Sequence, residues 1–111
     1  MNEQYRNFAK KLDPTVNRLY EILRIEKSED ELKIVLGCSE DAAGYKCVYF
    51  RGVTNYNVET LSEEDTDNLP QTFNSFDYFV NSPSGEIYRW ILLGDECEWS
   101  FSAPYPEVMD C

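Results

Sequence analysis

Glu86-Ile87-Tyr88-Arg89-Trp90-Ile91-Leu92-Leu93-Gly94-Asp95-Glu96-Cys97-Glu98-Trp99-Ser100-Phe101 is the stretch that decides the fold. Cys97, Trp99 and Phe101 alternate with Glu96, Glu98 and Ser100. A period of two residues puts all three apolar side chains on one face of a strand and the polar ones on the other. Gly94-Asp95 turns the chain just before it, and the run from Glu86 to Leu93 is rich in aromatic and β-branched residues, which fit a pleated surface. Further upstream, Asn81-Ser82-Pro83-Ser84-Gly85 separates this run from another between Phe73 and Val80, and its proline and glycine mark a hairpin turn.

The same pattern extends towards the N-terminus. Leu32, Ile34 and Leu36 alternate with Lys33, and Glu26 to Asp30 form a polar turn, so 22–27 and 31–38 are expected to pair as a hairpin. Ser39 to Gly44 is a second turn. Tyr45 to Arg51 is aromatic and β-branched, Gly52 interrupts it, and Val53 to Val58 resumes as a short strand. At the start of the chain, Tyr5, Phe8, Ala9 and Leu12 fall at the spacing of an amphipathic helix, predicting a helix over about 3–12. Asp13-Pro14 ends it. Val16, Leu19, Tyr20 and Leu23 then suggest a second helical segment from Pro14 to about Tyr20, passing into a strand by Leu23. Pro104-Tyr105-Pro106 cannot continue a central strand, so the tail is expected to leave the sheet. The expected fold class is α+β: one or two N-terminal helices on a curved antiparallel sheet of about six or seven strands, in a single domain over 1–111.

Composition sets limits on function. Leu, Ile, Val and Phe number 27 of 111 residues, above the fraction of disordered chains despite a formal charge of −11. No apolar stretch is long enough to span a bilayer, and Met1 opens a polar segment, so a cytoplasmic protein without membrane partners is expected. There is no histidine, which removes imidazole-based triads, acid–base catalysis and most zinc sites. Cys38, Cys47, Cys97 and Cys111 match no zinc or redox spacing. Cys38, Cys47 and Cys97 read as small buried apolar residues, with a Cys38–Cys47 bridge across the hairpin as the alternative. No cofactor and no metal are expected. Glu63 to Asn68 offers hard oxygen ligands but lacks the glycine and distal glutamate of a calcium loop.

Charge is divided unevenly. Residues 1–51 carry nine acidic and nine basic residues, whereas 52–111 carry twelve acids against Arg89 alone. Such a balance argues against direct nucleic-acid binding and favours a basic protein partner. The residues expected to meet that partner are Glu59, Glu63, Glu64, Asp65 and Asp67, with Glu96 and Glu98 beside them and Tyr88 and Tyr105 as exposed aromatics. Glu96 and Glu98 with Glu86 or Asp77 also suggest a glycosidase-like carboxylate pair, although acids at i and i+2 on a strand ordinarily mark its solvated face.

Tyr45-Lys46-Cys47-Val48-Tyr49-Phe50-Arg51-Gly52-Val53, followed by the run from Glu86 to Phe101, resembles small β-rich bacterial proteins, some of them immunity proteins of polymorphic toxin systems. The shared pattern is a phenylalanine-x-glycine-valine strand end, a polar excursion and a hairpin whose last strand alternates acidic and aromatic residues, over about 20–105. The resemblance implies a noncatalytic antagonist of a basic protein such as a nuclease toxin, and assigns a role to no single residue. Two other classes fit the composition: a DNA mimic that blocks a nucleic-acid enzyme, and a small carbohydrate-binding module or carboxylate-based enzyme.

Overall fold

The computed structural model describes residues 6–8, 19–38, 45–60, 69–80, 83 and 85–110. Every element among them is a strand: β1 (Arg6–Asn7), β2 (Leu19–Ser28), β3 (Glu31–Cys38), β4 (Tyr45–Arg51), β5 (Thr54–Thr60), β6 (Gln71–Val80), β7 (Tyr88–Gly94), β8 (Cys97–Ala103) and β9 (Glu107–Asp110). They form one antiparallel sheet in the order β5-β8-β7-β6-β2-β3-β4-β9, with β1 on β6.

Each half of this order is built from neighbours in sequence, and β6 joins the halves. Its first residues pair with β2, Gln71 opposite Ile22 and Thr72 opposite Glu21. The register against β7 then shifts between Phe73 and Ser75, and the strand continues beside β7 to Val80, opposite Tyr88. Asn74 Nδ2 donates to the Gly94 carbonyl at 2.9 Å beside that shift. A bulge of this kind bends a strand and raises its twist, and here it accompanies the change of partner from β2 to β1.

The two halves fold onto each other because each has one apolar face. Ile22, Leu32, Ile34, Leu36, Val48 and Phe50 come from β2–β4, and Phe76, Tyr78, Trp90, Leu92, Trp99 and Phe101 from β6–β8. Phe50 crosses between them, its ring centroid 4.9 Å from that of Trp90 and 4.8 Å from that of Phe101, both edge-on. The Trp90 indole N–H donates to the Ala103 carbonyl at 3.0 Å, so the ring is buried with its polar group satisfied.

Four sequence expectations are corrected. The fold class is all-β among the described residues, with nine strands, not α+β with six or seven. Within the expected helix over 3–12, Arg6–Asn7 is a strand paired with Tyr78 and Asp77 of β6, and the rest apart from Phe8 lies outside the described residues. Phe8 is 1% exposed, with its ring centroid 5.1 Å from Phe76 and 5.0 Å from Trp90. Phe8 itself is helical in conformation, so the strand at Arg6–Asn7 overturns the start of the expected helix while Phe8 packs into the core directly after that strand. Leu19 and Tyr20, expected to end a second helix, already belong to β2, with Leu19 opposite Cys38. Finally, the chain does leave the sheet at Pro104-Tyr105-Pro106, but it returns as β9, with Val108 opposite Val48 of β4.

Two glycines are required by position. Gly52 has φ +71° and lets the chain pass from β4 to β5. Gly94 has no room for a side chain: a Cβ there would lie 2.7 Å from Gln71 Oε1 and 3.1 Å from Ile22 Cδ1. Gln71 cannot easily withdraw, because its Oε1 accepts from the Glu96 backbone N–H at 2.9 Å and its Nε2 lies 3.6 Å from Cys97 Sγ. Gly94→Ala should therefore lower stability by about 1–3 kcal/mol, the ordinary cost of overpacking. A urea titration followed by tryptophan fluorescence should show a lower midpoint with an unchanged slope, and an unchanged midpoint would contradict the packing described.

Candidate functional site

The outward faces of the two half-sheets differ in how their charges are matched. On β2–β4 the pleat sets opposite charges across from each other: Glu26 faces Lys33, and Glu31 faces Arg51. Arg24 Nε lies 3.4 Å from Glu26 Oε2. Glu107 of β9 also meets a base, its Oε1 3.9 Å from Arg51 Nη1. Lys33 Nζ lies 5.6 Å from the centre of the Tyr49 ring. Two shallow depressions lie on this side, one of about 280 Å³ beside Lys33, Tyr49 and Arg51, and one of about 330 Å³ beside Tyr49, Arg51 and Tyr105.

On β5–β8 the arrangement is reversed. Glu59 of β5 is directly opposite Glu98 of β8. On β8, alternation places Trp99 and Phe101 in the core, so Glu98 and Ser100 face outward. Glu59, Asn57, Ser100, Ile91 and Asp77 share that outward face. Like charges directly opposite on neighbouring strands are unfavourable, and among the described residues no base pairs with either glutamate. The base of this half, Arg89, shares that face but is engaged by neutral groups: Nη1 donates to Ser102 Oγ at 3.3 Å and to the Asn55 carbonyl at 3.4 Å, and Nη2 to Ser100 Oγ at 3.2 Å. Its cation thus ties β7, β8 and β5 together and, among the described residues, meets no carboxylate.

The residues singled out in the sequence divide into three groups. Glu59 and Glu98 are brought face to face, and Glu96 lies at the β7–β8 turn, its backbone N–H bonded to Gln71. Tyr88 and Tyr105 belong to the opposite, inner side. Tyr88 is half-buried against Tyr78 and Trp90, and Tyr105, 47% exposed, covers the end of the same aromatic cluster, 5.7 Å from Phe8 and 5.8 Å from Trp90. Glu63, Glu64, Asp65 and Asp67 lie outside the described residues, as does the rest of the oxygen-rich stretch up to Asn68. Among the described residues no cluster of three or more cysteines and carboxylates could hold a metal ion. Asp77 is on β6, two strands from Glu98 and one rung along, about 10 Å at normal strand spacing, so the strands do not bring these two into a catalytic pair.

Cys97 is fully buried with a free thiol, as expected of a small apolar residue. Cys47 is instead disulfide-bonded. The alternative reading, a bridge from Cys38 to Cys47, rests on a Cys38 side chain outside those described. Cys47 is buried as expected, 4% exposed, on the other side of β4 from Val48 and Phe50, opposite Val35 and Met109.

No protein-family model matches the chain, and no curated protein matches it. A crystal structure of an uncharacterized protein from Neisseria gonorrhoeae is similar in fold, with a TM-score of 0.61 over 97% of each chain at 9% sequence identity. That likeness concerns the fold alone. No helix among the described residues is long and apolar enough to cross a membrane.

Burial pushes the Asp77 carboxyl above its ordinary value of 3.8 by stripping water from its charged form. The native state therefore holds a proton in a pH window just above 3.8 where the unfolded chain has released it, and stability falls as pH rises through that window. Asp77→Asn should remove this slope and raise stability at neutral pH, with the gain disappearing below the window. Melting temperatures of both proteins across the acid range test it, and parallel curves would contradict it.

Proposed function

We propose that this chain is a noncatalytic binding protein that antagonises a basic protein, as an immunity protein antagonises a nuclease toxin. The observation that supports this is the Glu59–Glu98 pair: two carboxylates opposite each other, with the base of that half-sheet engaged by Ser100, Ser102 and Asn55. In isolation the pair is destabilising. A lysine or arginine docked between the two carboxylates turns that repulsion into attraction, and the field around it speeds encounter with a basic surface. The described part of β5–β8 and its connections carries six acids and Arg89, so the field has one sign.

The test is affinity capture with the wild-type chain and with a Glu59→Lys, Glu98→Lys double variant, followed by kinetics on the captured protein. A basic protein should be retained by the wild type and lost by the variant, with an association rate that falls steeply with salt. Identical retention would contradict the assignment, and displacement of the partner by DNA would favour the DNA-mimic class.

The cytoplasmic location suggested by the sequence conflicts with Cys47, because cytosolic thiols are kept reduced. The disulfide supports a compartment in which such bonds persist. Thiol titration of the unfolded, unreduced chain should find two free thiols among the four cysteines, and four would restore the cytoplasmic location.

A further inference from the structure

We propose that the edge of β5 over Asn57–Thr60 is a docking strand, which takes up an extended segment of the partner as an added antiparallel strand whose residues alternate between basic and apolar. This rests on the basic-partner function above and specifies how such a partner is held.

The sheet order ends in two edge strands, β5 and β9, and they differ. β9 has four residues, and its Glu107 meets Arg51 of β4. β5 has seven residues, and its start is tied to the β2–β3 hairpin. The Val53 N–H just before it donates to the Asp30 carbonyl at 2.9 Å, and Lys27 Nζ lies 5.6 Å from the centre of the half-buried Tyr56 ring. The register there is also irregular between Thr54 and Asn57, with Asn55 at φ 55°, and a bulge of that kind blunts an edge.

From Asn57 onward the protection stops. Asn57, Val58, Glu59 and Thr60 pair regularly with Ser100, Trp99, Glu98 and Cys97, and all four are exposed. Among the described residues their other edge pairs with no strand. The segment contains no proline, lysine or bulge, the usual means of discouraging strand addition.

The pleat specifies what would pair there. A strand added about 4.8 Å beyond β5 places one residue opposite Glu59, on the face that already carries Glu98. A lysine or arginine at that position relieves the glutamate pair. Its neighbour falls opposite Val58, which is 36% exposed on the other face, and an apolar side chain there covers it. A second copy of this chain is a poor occupant, because two β5 edges related by a twofold axis would bring further glutamates to the same rungs.

The experiment uses the full chain labelled with nitrogen-15 and two synthetic peptides of equal charge, one alternating lysine and valine, the other with its valines replaced by proline. The alternating peptide should shift and slow the exchange of amides in Asn57–Thr60. The proline peptide, unable to donate ladder hydrogen bonds, should bind about tenfold more weakly. Glu59→Gln, which leaves the fold intact, should weaken the alternating peptide about threefold. Equal binding of the two peptides would overturn strand addition while leaving the attraction for basic partners in place. Binding of neither at low salt would overturn both.

Discussion

Phe50 is the residue on which the two halves of the sheet depend. It projects from β4 and packs between Trp90 of β7 and Phe101 of β8, with Phe76 of β6 6.3 Å away. A chain of 111 residues buries a limited fraction of its surface, so large aromatic side chains supply much of the apolar area that offsets chain entropy. Phe8, Tyr78 and Tyr105 extend the same seam, and the Tyr78 and Trp90 rings stack with centroids 4.6 Å apart. Without this seam each half would be a sheet with an unpartnered apolar face.

The polarity of the surface follows from the connections. β2, β3 and β4 are consecutive in sequence and adjacent in space, and β6, β7 and β8 likewise, with β5 alongside. The first half of the chain therefore supplies β2–β4 and the second half β5–β8, with β1 and β9 crossing to the other half's strands, and over those seven strands the division of charge at residue 51 becomes a division between two outward faces. On β2–β4 the cross-strand partners alternate in sign. On β5–β8 they do not, and two carboxylates on facing residues repel by about 1 kcal/mol in water and by more where solvent is excluded. A charge difference of that size has little effect on folding and a large one on which surfaces approach.

Much of the sheet was legible because burial on one face leaves a period-two signal that needs no long-range information. Cys97, Trp99 and Phe101 were assigned to the core and are buried there, and the hairpins 22–27 with 31–38 and Phe73–Val80 with Glu86–Leu93 pair nearly as expected. The failures occur where a local pattern is ambiguous or a strand is defined by its partner. The expected helix over 3–12 misplaced its start: Arg6 and Asn7 are a strand defined by pairing with β6, and Phe8 directly after them is helical and buried against Trp90. β9 is short, and only its pairing with β4 makes it a strand, with Val108 opposite Val48 and Glu107 beside Arg51. The site was half visible for the same reason. Alternation placed Glu98 on the solvated face, but only the β5–β8 register sets Glu59 opposite it. Tyr105 is exposed as expected, whereas Tyr88 is half-buried because composition does not reveal that it turns towards Trp90.

The central claim is that the topology turns a charge split along the chain into two unlike faces. Paramagnetic relaxation of backbone amides by a small cationic nitroxide, normalised to its neutral analogue, measures that directly. The account predicts cation enrichment at Asn57–Glu59 and Glu98–Ser100 and none on the outward face of β2–β4, with the contrast fading as salt is added. Equal enrichment on both faces would contradict it.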